Sequence, residues 1–196
     1  MGKTPFQLPR VPPTLFTEDL VLRPIAPSDA LAYFRLCSDT DVMNGWGTAA
    51  HTEINETRAL ISFLSDQLAK GSMLRWGIAL KKAPEELIGD VGYWRFVPVR
   101  YRGELGAKLS KCHWQKSYMT QALGCAIEAG FEHLGLNSVE GNIEVDNTAS
   151  IRLVEKLGFV KEGLVRQHTY SSIKERFMDT YLYSIVKDQW MPWRAK

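Results

Sequence analysis

At 196 residues, with 45% hydrophobic and 23% charged residues, the chain has the composition of an ordinary globular domain long enough to bury a substantial core. The formal net charge is +2, and Lys and Arg are scattered rather than gathered into a stripe that could follow a phosphate backbone, so nucleic acid is not expected as a direct ligand. Cys37, Cys112 and Cys125 lie far apart and offer neither a CxxC metal site nor a disulfide framework; no metal is expected, and a reducing, cytoplasmic compartment is. The opening MGKTPFQLPR lacks the apolar core of a secretory signal, Phe6 stands where a myristoylation motif wants Ser or Thr, and no later run is apolar for long enough to span a bilayer.

Residues 1–16 hold four of the nine prolines, which fix φ and remove donors, and are predicted to lie extended as a tail or strap. The segment 17–190 is expected to form one domain, with 191–196 as a tail. DLVLRPI (19–25) alternates as a half-buried strand, and Ser28 and Asp29 provide helix-start chemistry for ALAYFRLCS (30–38). From Thr52 to Lys70 apolar residues recur at helical spacing, with Thr52 as the expected cap and Gly71 as the stop. LRWGIALKK (74–82) and ELIGDVGYWRFV (86–97) read as two strands of a hairpin joined by KAPE.

ELGAKLS (104–110) is the next strand, with Leu105, Ala107 and Leu109 on one face and Glu104, Gly106 and Lys108 on the other. A helix is predicted from about Ser117 to Leu134; its inner face of Met119, Ala122, Ala126 and Gly130 is small enough to approach a sheet closely. SVEGNIEV (138–145) alternates as a strand, and ASIRLVEKL (149–157) reads as a helix started by Asp146 or Asn147 and stopped by Gly158. The remainder, with ERFMDTYLYSIV (175–186), reads as a final antiparallel pair. A strand–helix–strand unit inside an antiparallel meander makes the class α+β, with a mixed, mostly antiparallel sheet of about seven strands and about four helices.

WQKSYMTQA (114–122) followed by NTASIRLVEKLGF (147–159) resembles the two signature blocks of the GNAT N-acetyltransferases, in the branch of the ribosomal-protein acetyltransferases RimJ and RimL. The element order agrees from Leu15 to Trp190, and NxxSIRLxEKLGF is the most specific part of the match. The resemblance implies acetyl transfer from acetyl-coenzyme A to a primary amine, on a protein N-terminus or a small molecule, by a monomer or homodimer that binds neither nucleic acid nor membrane. Coenzyme A carries a pyrophosphate, and a helix N-terminus offers free N–H groups and the positive end of a dipole. The amides of Gln115, Lys116, Ser117, Tyr118, Met119 and Thr120 are therefore expected to cradle it.

The family usually has glycines where this chain has Gln115 and Ser117; Ser117 could instead cap the helix, and read alone the block is also a plain capped helix start. Asn147 inherits the place that holds the cofactor arm, while its own sequence context equally supports a helix cap. Val154 stands where many relatives place a tyrosine acid, which leaves Ser150 as the candidate proton donor to the departing thiolate.

Attack on a thioester needs an uncharged amine, so a group must accept its proton. Glu104 matches the branch's glutamate, and is otherwise a solvated strand carboxylate. Backbone N–H groups of Ala107, Lys108 and Leu109 are the expected donors to the developing oxyanion. Cys112, His51 and His168 have no readable catalytic partners, and the GWG segment (45–47) is expected as a loop that contacts the acceptor. A noncatalytic acyl-CoA-binding protein is the alternative, kept open by Gln115, Ser117 and Val154.

Overall fold

The computed structural model of the protein describes Phe6 and residues 8–192. Along the chain come β1 (Leu15–Phe16), β2 (Leu20–Arg23), α1 (Ala30–Cys37), α2 (Thr40–Trp46), α3 (Ile54–Ala69), β3 (Leu74–Leu80), β4 (Ala83–Val97) and β5 (Arg102–Leu109). They are followed by α4 (Tyr118–Glu132), β6 (Ser138–Glu144), α5 (Thr148–Leu157), β7 (Val160–Ser171) and β8 (Arg176–Val186). The strands form one mixed sheet in the order β1-β2-β3-β4-β5-β6-β8-β7, in which only β5 and β6 are parallel. The class is α+β, as the alternation predicts.

The eighth strand and fifth helix beyond the expected numbers are β1 and α2. β1 is two residues long, too short for a periodicity to show. In α2, TDVMNGW carries a glycine and few apolar positions; it is nucleated by Asp39, whose carboxylate accepts from the N–H groups of Asp41 (2.9 Å) and Val42 (3.4 Å), and it ends at Gly47 with φ 85°. The expected GWG loop is thus a helix end. Two smaller corrections follow from hydrogen bonding. Glu53, not Thr52, is the N-cap of α3, and the β3–β4 turn is tighter than KAPE, because Leu80 pairs with Ala83 across Lys81 and Lys82.

Each sheet face has its own core. On one, α4 packs Ala122, Ala126 and Ile127 against Trp76, Val91, Tyr93 and Leu105. Close approach is built in at Gly130, where a Cβ would lie 2.0 Å from the Tyr93 hydroxyl that donates to the Ala126 carbonyl. The segment before β1 lies along this core: the Trp76 indole N–H donates to the Pro13 carbonyl (2.7 Å), leaving a groove of about 480 Å³ against α4 near His133. On the other face, Tyr33, Leu36 and Cys37 of α1, Val42 and Met43 of α2 and Ile61 of α3 pack with Leu87.

Buried beneath α1 and α2 is a row of charges on three adjacent strands, Arg75, Asp90 and Lys108. The Arg75 Nε donates to Asp90 at 2.5 Å and the Lys108 Nζ stands 3.6 Å from the other carboxylate oxygen. Burial works to raise the Asp90 pKa, but the charges of Arg75 and Lys108, with hydrogen bonds from Arg75 and Tyr33, hold it below the usual carboxylate value. A carboxylate so depressed contributes stability above its unfolded pKa and loses it only as pH falls through the lower folded value. Asp90→Asn strands two buried cations without a counter-ion and is expected to lower unfolding free energy by roughly 3–5 kcal/mol in urea titrations. A loss under about 1 kcal/mol would show that water reaches the cluster.

Candidate active site

Because β5 and β6 are parallel, their C-terminal ends and the helices that follow them, α4 and α5, start at the same end of the sheet. The pairing covers only Arg102–Ser138, Gly103–Val139 and Glu104–Glu140. Beyond Glu104 the strands splay, although β5 continues to Leu109 and β6 to Glu144. The phase of the β4–β5 ladder is set by Ser110, whose N–H donates to the Ile88 carbonyl (2.9 Å). Alternation then turns the backbone of Gly106 and Lys108 toward β4 and that of Leu105, Ala107 and Leu109 toward the splay. The Leu109 carbonyl is taken by the Trp114 indole (2.7 Å). Ala107 and Leu109 therefore present amides to the gap, while the Lys108 amide points into the ladder and its ammonium lies under α1 and α2.

The loop 110–117 leads from β5 into α4. Gln115 and Ser117 both have φ 59°, the left-handed region that a glycine occupies at least cost. Ser117 makes no side-chain cap; its carbonyl accepts from the Gln121 N–H (3.0 Å), so α4 begins with the amides of Tyr118, Met119 and Thr120 free of intrahelical acceptors. The Lys116 ammonium donates to the Cys112 carbonyl (2.8 Å). A turn of left-handed residues opening onto an uncapped helix fits a phosphate group.

Across the splay, the Asn147 Oδ1 accepts from the Ser150 N–H (3.1 Å) and caps α5, and its Nδ2 donates to the Gly45 carbonyl of α2 (3.4 Å). Both polar atoms of the Asn147 side chain are thus engaged with protein, one of them in the expected cap. Ser150 is half-buried, and its hydroxyl makes no hydrogen bond among the described residues. α2 spans the opening. The Trp46 ring lies on Gly106, where a Cβ would come within 2.9 Å, and receives the Lys108 ammonium at 4.8 Å and the Arg75 guanidinium at 5.3 Å from its centroid. Trp94, at a register shift in β4, borders the other side of Gly106.

Glu104, the last paired residue of β5, is buried. One of its oxygens accepts two bonds from Arg95 (3.0 and 2.7 Å) and the other accepts one from the Asn142 amide (2.7 Å). It lines a cavity of about 230 Å³ with Arg95, Arg102, Glu140, Asn142 and His168. The place of His168 is not legible from spacing, since a strand irregularity delivers it. His51, by contrast, bonds Thr57 beside α3, and burial lowers its pKa; Cys112 is exposed.

The acetyltransferase (GNAT) domain model matches residues 19–160. The chain belongs to the GNAT acetyltransferase family. It is 33% identical over 177 residues to a Bacillus licheniformis protein named uncharacterized N-acetyltransferase p20, covering 90% of this chain and 98% of that one. It is likewise 33% identical over 175 residues to the uncharacterized N-acetyltransferase YoaA of Bacillus subtilis, covering 89% and 97%. Mycobacterium smegmatis RimJ, solved with CoA-disulfide, superposes with a TM-score of 0.82 at 20% identity over 93% of this chain and 91% of its own, a likeness of fold. This GNAT enzyme is an N-acetyltransferase that uses acetyl-CoA as its acetyl donor and acts on an amine.

The left-handed residues give a direct test of the loop. A non-glycine residue there costs about 1–2 kcal/mol, partly offset by the extra unfolded-state entropy of glycine, about 0.4–1 kcal/mol. Ser117→Gly is therefore expected to stabilise the GNAT enzyme by roughly 0.5–1 kcal/mol and Ser117→Val to destabilise it, read by chemical unfolding. Equal stability of all three proteins would contradict the left-handed assignment.

Proposed function

We propose that the amine enters over the sheet face carrying Glu104 and meets the acetyl group at the splay, and that it is a primary amine of a protein N-terminus or a small molecule. The observation that carries this reading is the position of Glu104: its carboxylate lines the cavity at the vertex where β5 leaves β6. When bound, acetyl-CoA supplies an activated acyl carbonyl and a thiolate leaving group. Gln115, Lys116 and Ser117 shape the pyrophosphate loop, and the amides of Tyr118, Met119 and Thr120 donate to the phosphates. Ala107 and Leu109 donate to the acyl oxygen as it gains charge, and Lys108 supports Trp46 instead. Asn147 fixes the start of α5 beside the cofactor arm.

Glu104 draws in the ammonium and removes its proton toward the cavity, and Ser150 returns a proton to sulfur. We further assign residues 17–190 to one catalytic domain working in the cytoplasm, with residues 8–16 as its strap; of the expected N-terminal segment and tail, 1–5, 7 and 193–196 lie outside the described residues, and no described helix is long and apolar enough to cross a membrane.

Thiol release from acetyl-CoA across a panel of peptide and small amines tests the acceptor, with at least one primary amine expected to raise it over the amine-free rate. Glu104→Gln keeps the side-chain shape and is expected to cut turnover by roughly 10²-fold with acetyl-CoA affinity nearly unchanged. The deficit should shrink as pH rises, because more amine is then already neutral. Ser150→Ala should slow turnover without that recovery, since the thiolate leaves after the amine has attacked. A Glu104→Gln enzyme with the wild-type rate at neutral pH would remove Glu104 from the reaction.

A further inference from the structure

Of the five ionisable groups that line the cavity, four are joined in ion pairs, Arg95 with Glu104 and Arg102 with Glu140. The fifth is His168. Its position comes from an irregularity in β7: Val165 pairs with Thr180 and Thr169 with Met178, so residues 166–168 stand opposite Asp179 alone. Gln167 takes φ 47° there, and its N–H donates to the Asp179 carboxylate (2.8 Å), which pins the distortion. The next residue, His168, meets the hydroxyl of the buried Thr180 through Nδ1 (2.9 Å). That contact sets the ring and leaves Nε2 as the nitrogen without a partner among the described residues.

Glu104 takes the proton of the ammonium but is a poor place to leave it. A carboxylate has about four in-plane lone-pair sites. Three of those of Glu104 already accept, two from Arg95 and one from Asn142, and one remains for the amine. A second group has to carry the proton away. Around His168 stand Arg95 from β4, Arg102 and Glu104 from β5, Glu140 from β6 and Asp179 from β8, and the two arginines and two of the carboxylates are joined to each other.

Resting on the acceptor reading above, we propose that His168 is the onward acceptor of the proton that Glu104 takes from the incoming amine. The ammonium held by Glu104 loses an N–H bond, its electron pair stays on nitrogen for attack, and the proton passes from Glu104 through a water to Nε2 of the neutral imidazole. The imidazolium then releases it to solvent. Imidazole is suited to this because its charge ordinarily changes between about pH 5 and 8. A protonated acceptor stops turnover, which gives kcat an acid limb.

The test is turnover with alaninamide at saturation as the probe amine, followed by thiol release across pH. His168→Gln can keep a hydrogen bond to Thr180 while removing the titration. It is expected to lower kcat at neutral pH by at least about tenfold, leave the KM for acetyl-CoA unchanged and abolish the acid limb of kcat. Thr180→Val keeps the imidazole but frees Nδ1, and should give a smaller loss with the acid limb retained and displaced. A purely structural role for His168 predicts lower stability with the acid limb of kcat in place. His168→Gln with wild-type kcat and an intact acid limb would overturn the proposal while leaving acetyl transfer standing. A wild-type enzyme that releases no thiol above the amine-free rate with alaninamide or with any other primary amine of the panel would remove the acceptor reading and the proposal together.

Discussion

The end of hydrogen bonding between β5 and β6 is the constraint on which the rest of the site depends. Three residue pairs hold the parallel strands together, and after Glu104 and Glu140 they part. A backbone N–H left without a partner costs about 1–3 kcal/mol if it is also kept from water. The gap is therefore sustainable only because it is open to solvent or ligand. That opening leaves the Ala107 and Leu109 amides unspent, separates the helix starts of α4 and α5 by the width of the gap, and puts the Glu104 carboxylate at the vertex. Slipping β5 by one residue against β4 would turn the Ala107 and Leu109 amides into that ladder and the Lys108 amide toward the gap.

α2 crosses the same gap and is held by contacts of unequal weight. The ion pair between Lys111 and Asp41 has both side chains more than half exposed, and a pair of that kind contributes at most about 1 kcal/mol. Burial of Val42 and Met43, together with the Trp46 ring packed against Gly106, is the stronger attachment. Lys108 and Arg75 reinforce it from below, each drawn to the ring face while neutralised by Asp90. On the far side, Lys174 in the β7–β8 hairpin bridges Glu144 and Asp146, so the hairpin is tied to the loop that starts α5. The walls of the gap are thus set by packing, and its rim by exposed charges that salt would screen.

Much of the fold is legible in the amino-acid sequence because alternation and helical spacing report directly on burial. The strands from Leu74 to Leu109 and the helices α4 and α5 emerge this way, and NTASIRLVEKLGF marks the family. What escapes is whatever a neighbour imposes. α2 is stabilised by Asp39 and by docking on β5, neither visible in the periodicity of seven residues. Gln115 and Ser117 adopt a glycine conformation without being glycine, so residue type conceals the backbone that the loop requires. The direction of the Lys108 amide depends on the phase of the β4–β5 ladder, which only pairing reveals. His168 reaches the cavity through a distortion of β7 whose sole local sign is the Asp179 that pins it.

The central claim is that acetyl-CoA lies in the splay with its phosphates at the start of α4, and amide NMR of isotope-labelled enzyme during titration with acetyl-CoA tests it most directly. The largest shifts are predicted at Ala107, Leu109 and Tyr118 to Thr120, with Lys108 moving less than its two neighbours because its amide faces β4. Shifts gathered instead along the groove between the N-terminal strap and α4, around Trp76 and His133, with the splay unchanged, would contradict the account.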